Sequence, residues 1–242
     1  MTVLFELQSV GVRFGQIDAL KAVDLQIVKG HRLALIGANG SGKSTLLRVL
    51  HGLLSPKPGQ GSGRLSGQLR VHHDVRQAML FQRPHMLHMS VLTNVALGVW
   101  LGGQSWAAAK IQALGALQRV GLASEARRQA RTLSLGQQQR LALARAWAMQ
   151  PNVLLLDEPT ASMDPHAKRE VEGLMAEFTD LPDMTLIFAS HNLGQVKRLA
   201  THVAYVEHGQ LLVHLPVAEF FDPVRLRAAS RQADLFLKGE FV

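Results

Sequence analysis

The 242 residues carry 26 Lys and Arg against 18 Asp and Glu, a formal net charge of +8, with 47% hydrophobic residues, 21 Gly and no Cys. So much apolar material excludes a disordered chain, and the absence of cysteine excludes a disulfide scaffold, thiolate metal sites and a cysteine nucleophile. Met1 to Val10 lacks the pattern of a signal peptide, and the longest uncharged stretch, Met89 to Lys110, is too polar for a spanning helix of roughly 20 apolar residues, so a soluble chain is expected.

In chain order, residues 2–12 alternate loosely and predict a strand closed by a turn at Gly15, and residues 22–27 predict a second strand ending at Lys29-Gly30. Residues 32–36 read as a short apolar strand broken at Gly37. Residues 42–54 carry Leu46, Leu47, Leu50 and Leu54 at helical spacing. Between strand and helix lies Gly37-Ala38-Asn39-Gly40-Ser41-Gly42-Lys43-Ser44, which fits G-x-x-x-x-G-K-[ST]. Glycines let backbone N–H groups turn inward as an anion nest at a helix N-terminus; Lys43 then reaches β- and γ-phosphates, and the Ser44 hydroxyl can ligate Mg²⁺.

Residues 55–67 form a Gly-, Pro- and Ser-rich connection. Within it, Gly59-Gln60-Gly61-Ser62-Gly63 has neither a feeding strand nor a closing Lys-Ser, and reads as a flexible hairpin connection with no phosphate role. Residues 68–72 and 78–81 are candidate strands, and 84–150 turn helical up to a break at Pro151. A strand over 153–156, a helix over 165–178 and a strand over 185–189 follow. The alternation argues for an α/β core with a largely parallel sheet, into which the block 84–150 is inserted. Ligands gather at the carboxyl ends of such strands, so Asp157 and Glu158 should face the phosphate loop. Asp157 would hold the Mg²⁺ shell and Glu158 would orient or activate an attacking water.

These residues resemble the ATP-binding cassette (ABC) transporter ATPases. Leu133-Ser134-Leu135-Gly136-Gln137-Gln138-Gln139-Arg140 is similar to the family signature, with Leu135 where glycine is usual, and stands about 20 residues ahead of Asp157. Gln82 in Phe81-Gln82-Arg83-Pro84 resembles the Q-loop glutamine. The run from Glu158 to Pro165 resembles the segment from the catalytic acid into the D-loop, His191 the switch histidine, and Phe14 the aromatic that stacks on adenine. The resemblance extends from Phe14 to about Phe221.

It implies one ABC ATPase domain over 1–242: a phosphate-loop ATPase core (about 1–82 and 150–242) with a parallel sheet and an antiparallel β piece, and a helical subdomain (about 83–149). Catalytic roles fall to Glu158, His191, Gln82 and Lys43, and Mg²⁺ to Ser44, Gln82 and Asp157. Nucleotide contacts are implied for Phe14, Gly37, Ala38, Asn39, Gly40, Ser41, Gly42, Lys43, Ser44, Thr45, Ser134, Gly136, Gln137 and Asp164. Ser134 and the following glycine would bind the γ-phosphate held by a second copy, making ATP the glue of a head-to-tail dimer.

Further implied partners are transmembrane permease subunits, docked on residues 84–104, and indirectly a substrate-binding protein, all at the cytoplasmic face of the membrane. The run Phe81 to Val91 is most similar to oxyanion importers of the tungstate type; other importers (molybdate, phosphate, amino acid), a separate-subunit exporter and a non-transport ABC ATPase are the alternatives. The charge of +8 is scattered, without an aromatic-basic stripe, so no nucleic acid is expected and an anionic leaflet is the economical neighbour. His72-His73 and His85-x-x-His88, with no acids read at ligand spacing, count as surface histidines.

Overall fold

The strands of this chain alternate with helices over part of its length, and the computed structural model describes residues 2–54, 64–161 and 163–239. They form two compact units, Met1–Val75 with Asp183–Val242, and Arg76–Pro182.

In the first unit, β1 (Val3–Phe14) pairs antiparallel with both β2 (Ile17–Val28) and β4 (Arg64–Val71), giving a three-stranded sheet of order β2-β1-β4. The turn expected at Gly15 is present: Phe14 pairs with Ile17, and Gly15 takes φ 58°. β3 (Arg32–Ile36) lies between two parallel neighbours, β7 (Thr185–Ala189) and β8 (His202–Glu207), while β9 (Gln210–Pro216) returns antiparallel to β8. Leu33 to Ile36 and all of β7 are buried, so both strands read as unbroken apolar runs rather than alternating ones. Helices α1 (Lys43–Leu50), α6 (Leu193–Leu199), α7 (Val217–Phe220), α8 (Pro223–Ala229) and α9 (Arg231–Lys238) complete this unit. α1 ends four residues earlier than the apolar spacing predicts, because Gly52 enters the left-handed region at φ 79°.

In the second unit, β5 (Gln77–Leu80) and β6 (Val153–Asp157) run parallel, with Leu80 opposite Leu156. Its helices are α2 (Val91–Leu101), α3 (Trp106–Arg119), α4 (Leu135–Ala148) and α5 (Pro165–Thr179). Each has a polar N-cap: Ser90, Ser105, Ser134 and Asp164 accept hydrogen bonds from first-turn N–H groups. The helical block begins at Val91 rather than Pro84. Among the described residues no helix is long and apolar enough to cross a membrane. The Gly59–Gly63 run lies outside the described residues.

Candidate functional site

The chain leaves β3 at Ile36 and turns back into α1 through residues whose backbone angles few side chains tolerate. Gly37, Gly40 and Gly42 take φ 146°, 78° and 114°. A Cβ on Gly37 would stand 2.0 Å from the Val206 carbonyl oxygen, and one on Gly42 2.7 Å from that of Ala19. A non-glycine residue in the left-handed region costs about 1–2 kcal/mol before any such clash. The loop is therefore fixed by sterics as well as by its motif.

Gly42 is the N-cap of α1, with no side-chain cap and no acidic residue in the first turn. The positive end of the helix dipole is thus left to whatever anion the loop meets. Lys43 is 5% exposed and its Nζ donates to Gly37 O at 2.8 Å and Ala38 O at 2.9 Å, which folds a cation into the curl. Glycines, dipole and ammonium together fit a polyphosphate.

Two more expected residues share this unit. β3 and β7 run in register, Leu35 opposite Ala189, so Gly37 and His191 leave the sheet at the same edge. Ser190 N donates to Leu35 O at 3.1 Å, and the Ser190 hydroxyl, bonded to Gln195 Oε1 at 2.7 Å, accepts from Asn192 N. These bonds fix the backbone on both sides of the exposed His191. Phe14 sits half-buried at the tip of the β1–β2 hairpin, five residues before the Ala19 carbonyl that Gly42 approaches.

The second unit brings Gln82 and Glu158 together. β5 and β6 end side by side, and Gln82 Nε2 donates to Glu158 Oε2 at 3.4 Å. Asp157 is 4% exposed at the last position of β6. Glu158 takes φ 46°, a left-handed angle that is uncommon for a side-chain-bearing residue and turns the chain sharply after the strand. The Asp157 carboxylate and the Gln82 amide oxygen are hard donors, of the kind that suits Mg²⁺.

The signature opens α4. Ser134 accepts from Gln137 N at 3.3 Å while its own N–H donates to Gln137 Oε1 at 3.0 Å, a reciprocal capping box. Leu135 is the first helical residue and 42% exposed, so its bulk points to solvent and its position needs no glycine conformation. Gly136 does need to be small: a Cβ there would stand 3.0 Å from the Ala167 Cβ of α5. Asp164 caps α5, accepting from His166 N at 2.9 Å and Ala167 N at 3.0 Å; the Ala167 bond, then that of His166, holds its carboxyl below the ordinary range.

Sequence reasoning missed the residues that hold the loop after Gln82. Buried Asn94 accepts from Leu87 N at 3.0 Å and donates to Met89 O and Ser90 O. Arg131 Nε donates to Met86 O at 3.0 Å and Arg145 Nη1 to His85 O at 2.9 Å. Burial pushes the Arg145 guanidinium down from its ordinary value. The signal was present: Asn94 and Arg145 are polar residues within otherwise apolar helical runs. Beside this loop is a cavity of about 360 Å³ lined by Leu80, Phe81, His85, Leu101, Arg145 and Met149, among others.

Comparison with known proteins adds three findings. Residues 20–161 match the family model described as ABC transporter. The phosphate import ATP-binding protein PstB of Thermotoga maritima is 32% identical over 99% of each chain, and the nickel import ATP-binding protein NikO of Rhodobacter capsulatus 38% identical over 90% of this chain and 91% of its own. Among solved structures, a dimeric ATP-binding cassette in a post-hydrolysis state, bound to ADP and Pi, superposes with a TM-score of 0.75 at 26% identity, covering 88% of this chain and 99% of that one.

Proposed function

The chain belongs to the ABC transporter family as an ATP-hydrolysing subunit, and from that premise we propose that it powers import through a separate membrane permease. The observation that carries the nucleotide site is the glycine-entered start of α1, without a side-chain cap and with Lys43 folded into the loop. Lys43 and the backbone of Gly37 to Thr45 bind the phosphates, and Phe14 stacks on the adenine. Ser44, Gln82 and Asp157 are the residues that would hold Mg²⁺, which would supply charge neutralisation for the phosphates.

Glu158 accepts the proton of the attacking water, oriented by the Gln82 amide that already reaches its carboxylate. His191 steadies the γ-phosphate from the edge it shares with Gly37. In a head-to-tail pair of copies, Ser134, Gly136 and Gln137 close over the phosphate held by the other copy, beside Asp164. The dimeric neighbour supports this pairing.

Docking of the permease falls to residues 84–104, where the cavity beside the pinned loop offers an apolar seat, at the cytoplasmic face of the membrane. A substrate-binding protein completes the importer. The cargo we take to be an oxyanion: the run Phe81 to Val91 is similar to tungstate-type systems, and one relative is named for phosphate import. Tungstate itself rests on that run alone; the other relative is named for nickel.

Glu158→Gln tests the composite site. Hydrolysis should fall by about a hundredfold or more, since glutamine cannot take the proton, while ATP binding persists. ATP, and not ADP, should then shift the variant from monomer to dimer in light scattering of the chain or its permease complex. Wild-type hydrolysis in the variant would remove Glu158 from the mechanism.

A further inference from the structure

The turn after β4 carries three adjacent side chains with metal-ligating atoms, and nothing in the ATPase reading uses them. His72, His73 and Asp74 present ligand atoms that all lie within 4.8 Å of one another, the one such group among the described residues. The pair His72-His73 counts in the sequence as surface histidines without acids at ligand spacing; in the structure the next residue, Asp74, stands within reach of both. Asp74 Oδ2 lies 3.6 Å from His72 Nδ1, and Asp74 Oδ1 lies 3.2 Å from His73 Nε2.

Those two separations can be compared with what an ion imposes. A tetrahedral ion with nitrogen and oxygen ligands at about 2.0–2.1 Å holds neighbouring ligands about 3.3 Å apart. The two spacings run to different oxygens of Asp74; with one ligand atom per residue all three lie within 4.8 Å, so rotation of the exposed side chains has to draw them onto an ion. Two imidazoles and one carboxylate are also the donor mixture that first-row divalent ions favour, whereas Mg²⁺ and Ca²⁺ prefer oxygen alone.

The turn is held by the backbone before any ion arrives. His72 N donates to Leu4 O at 2.9 Å, and Val75 N to His72 O at 3.1 Å. The two imidazole rings stack with centroids 4.3 Å apart. Asp74 N donates to His72 Nδ1 at 3.3 Å, so that nitrogen is an acceptor with its lone pair directed into the turn. In an exposed turn, water can take over that amide when an ion takes the lone pair.

We propose that His72, His73 and Asp74 form a surface site for a Zn²⁺-like divalent ion, with the remaining coordination positions left to water. The ion would brace the turn that follows β4.

Calorimetric titration of the tag-free, chelator-treated chain with Zn²⁺, without nucleotide, tests this. One ion per chain is expected. His73→Ala and Asp74→Asn should each weaken it roughly tenfold or more, while the double variant His85→Ala with His88→Ala leaves it unchanged. The replaced side chains are 82% and 68% exposed, so folding is not at stake. Co²⁺ in place of Zn²⁺ should give the visible absorption of a tetrahedral site, lost in both single variants. A flat titration overturns the site, as does equal affinity in wild type, His73→Ala and Asp74→Asn.

Discussion

Helix α1 starts at Gly42, left-handed and without a side-chain cap, whereas α4 starts at Ser134, extended and locked to Gln137 by a reciprocal cap. The two helix ends carry the same positive dipole. The first is kept for an outside anion, and glycine achieves this because it brings no oxygen of its own. The second is already partly satisfied from within, so any phosphate reaching Ser134 must compete with the 3.3 Å bond from Gln137 N. On the proposed reading, a nucleotide cradle and a contact made with a second copy would thus differ in how their helices are capped.

The largest test of that contrast is Lys43→Ala. Removing the cation that is folded into the uncapped end should cut hydrolysis by at least about a hundredfold and weaken ATP binding, measured as phosphate release and nucleotide titration. Unchanged turnover at saturating ATP would sink the cradle assignment. A smaller effect belongs to the self-capped end. Ser134→Ala should lower unfolding free energy by about 1 kcal/mol in denaturant titration, without nucleotide present. No loss of stability would mean that the capping box does not hold in solution.

The smallest effect concerns α5, the helix capped by a charge. The carboxyl of Asp164 is held below its ordinary value of 3.8 by the N–H groups of Ala167 and His166. A lowered carboxyl pKa contributes stability that is present above 3.8 and lost as pH falls through the lower folded value. Asp164→Asn keeps a capping oxygen but no titration. At neutral pH the wild type should therefore melt slightly above the Asn variant. Below pH 3.8 the wild type should lose the extra increment, and parallel curves through that window would contradict the charged cap.

Much of the molecule was legible before any coordinates. β3, β7 and β6 were readable because continuous apolar runs between turn residues suit strands buried on both faces. The glycine loop was readable because its angles are local demands that only glycine meets cheaply. The region after Ala189 was not read: α6, β8, β9 and the three short helices α7 to α9 carry mixed patterns in which His202, His214 and the arginines interrupt the period. The helical start at Pro84 was read too early, because hydrophobicity alone cannot show that Asn94, Arg131 and Arg145 hold residues 85–90 as a loop.

The sequence by itself determined the phosphate loop, the acidic end of β6, the signature and their order, since each is a short pattern whose chemistry lies within a few residues. Only the tertiary structure decided that Gln82 meets Glu158, that Arg145 reaches back sixty positions to His85, and that Gly136 must be small to pass Ala167. It also decided that Leu135 is exposed at the first helical position of α4, where the family pattern has glycine, and that Asp74 stands within reach of His72 and His73. The reason is physical: periodicity reports which face of an element is apolar. Which atoms come within bonding distance depends on how elements far apart in the chain pack together and on how turns direct their side chains.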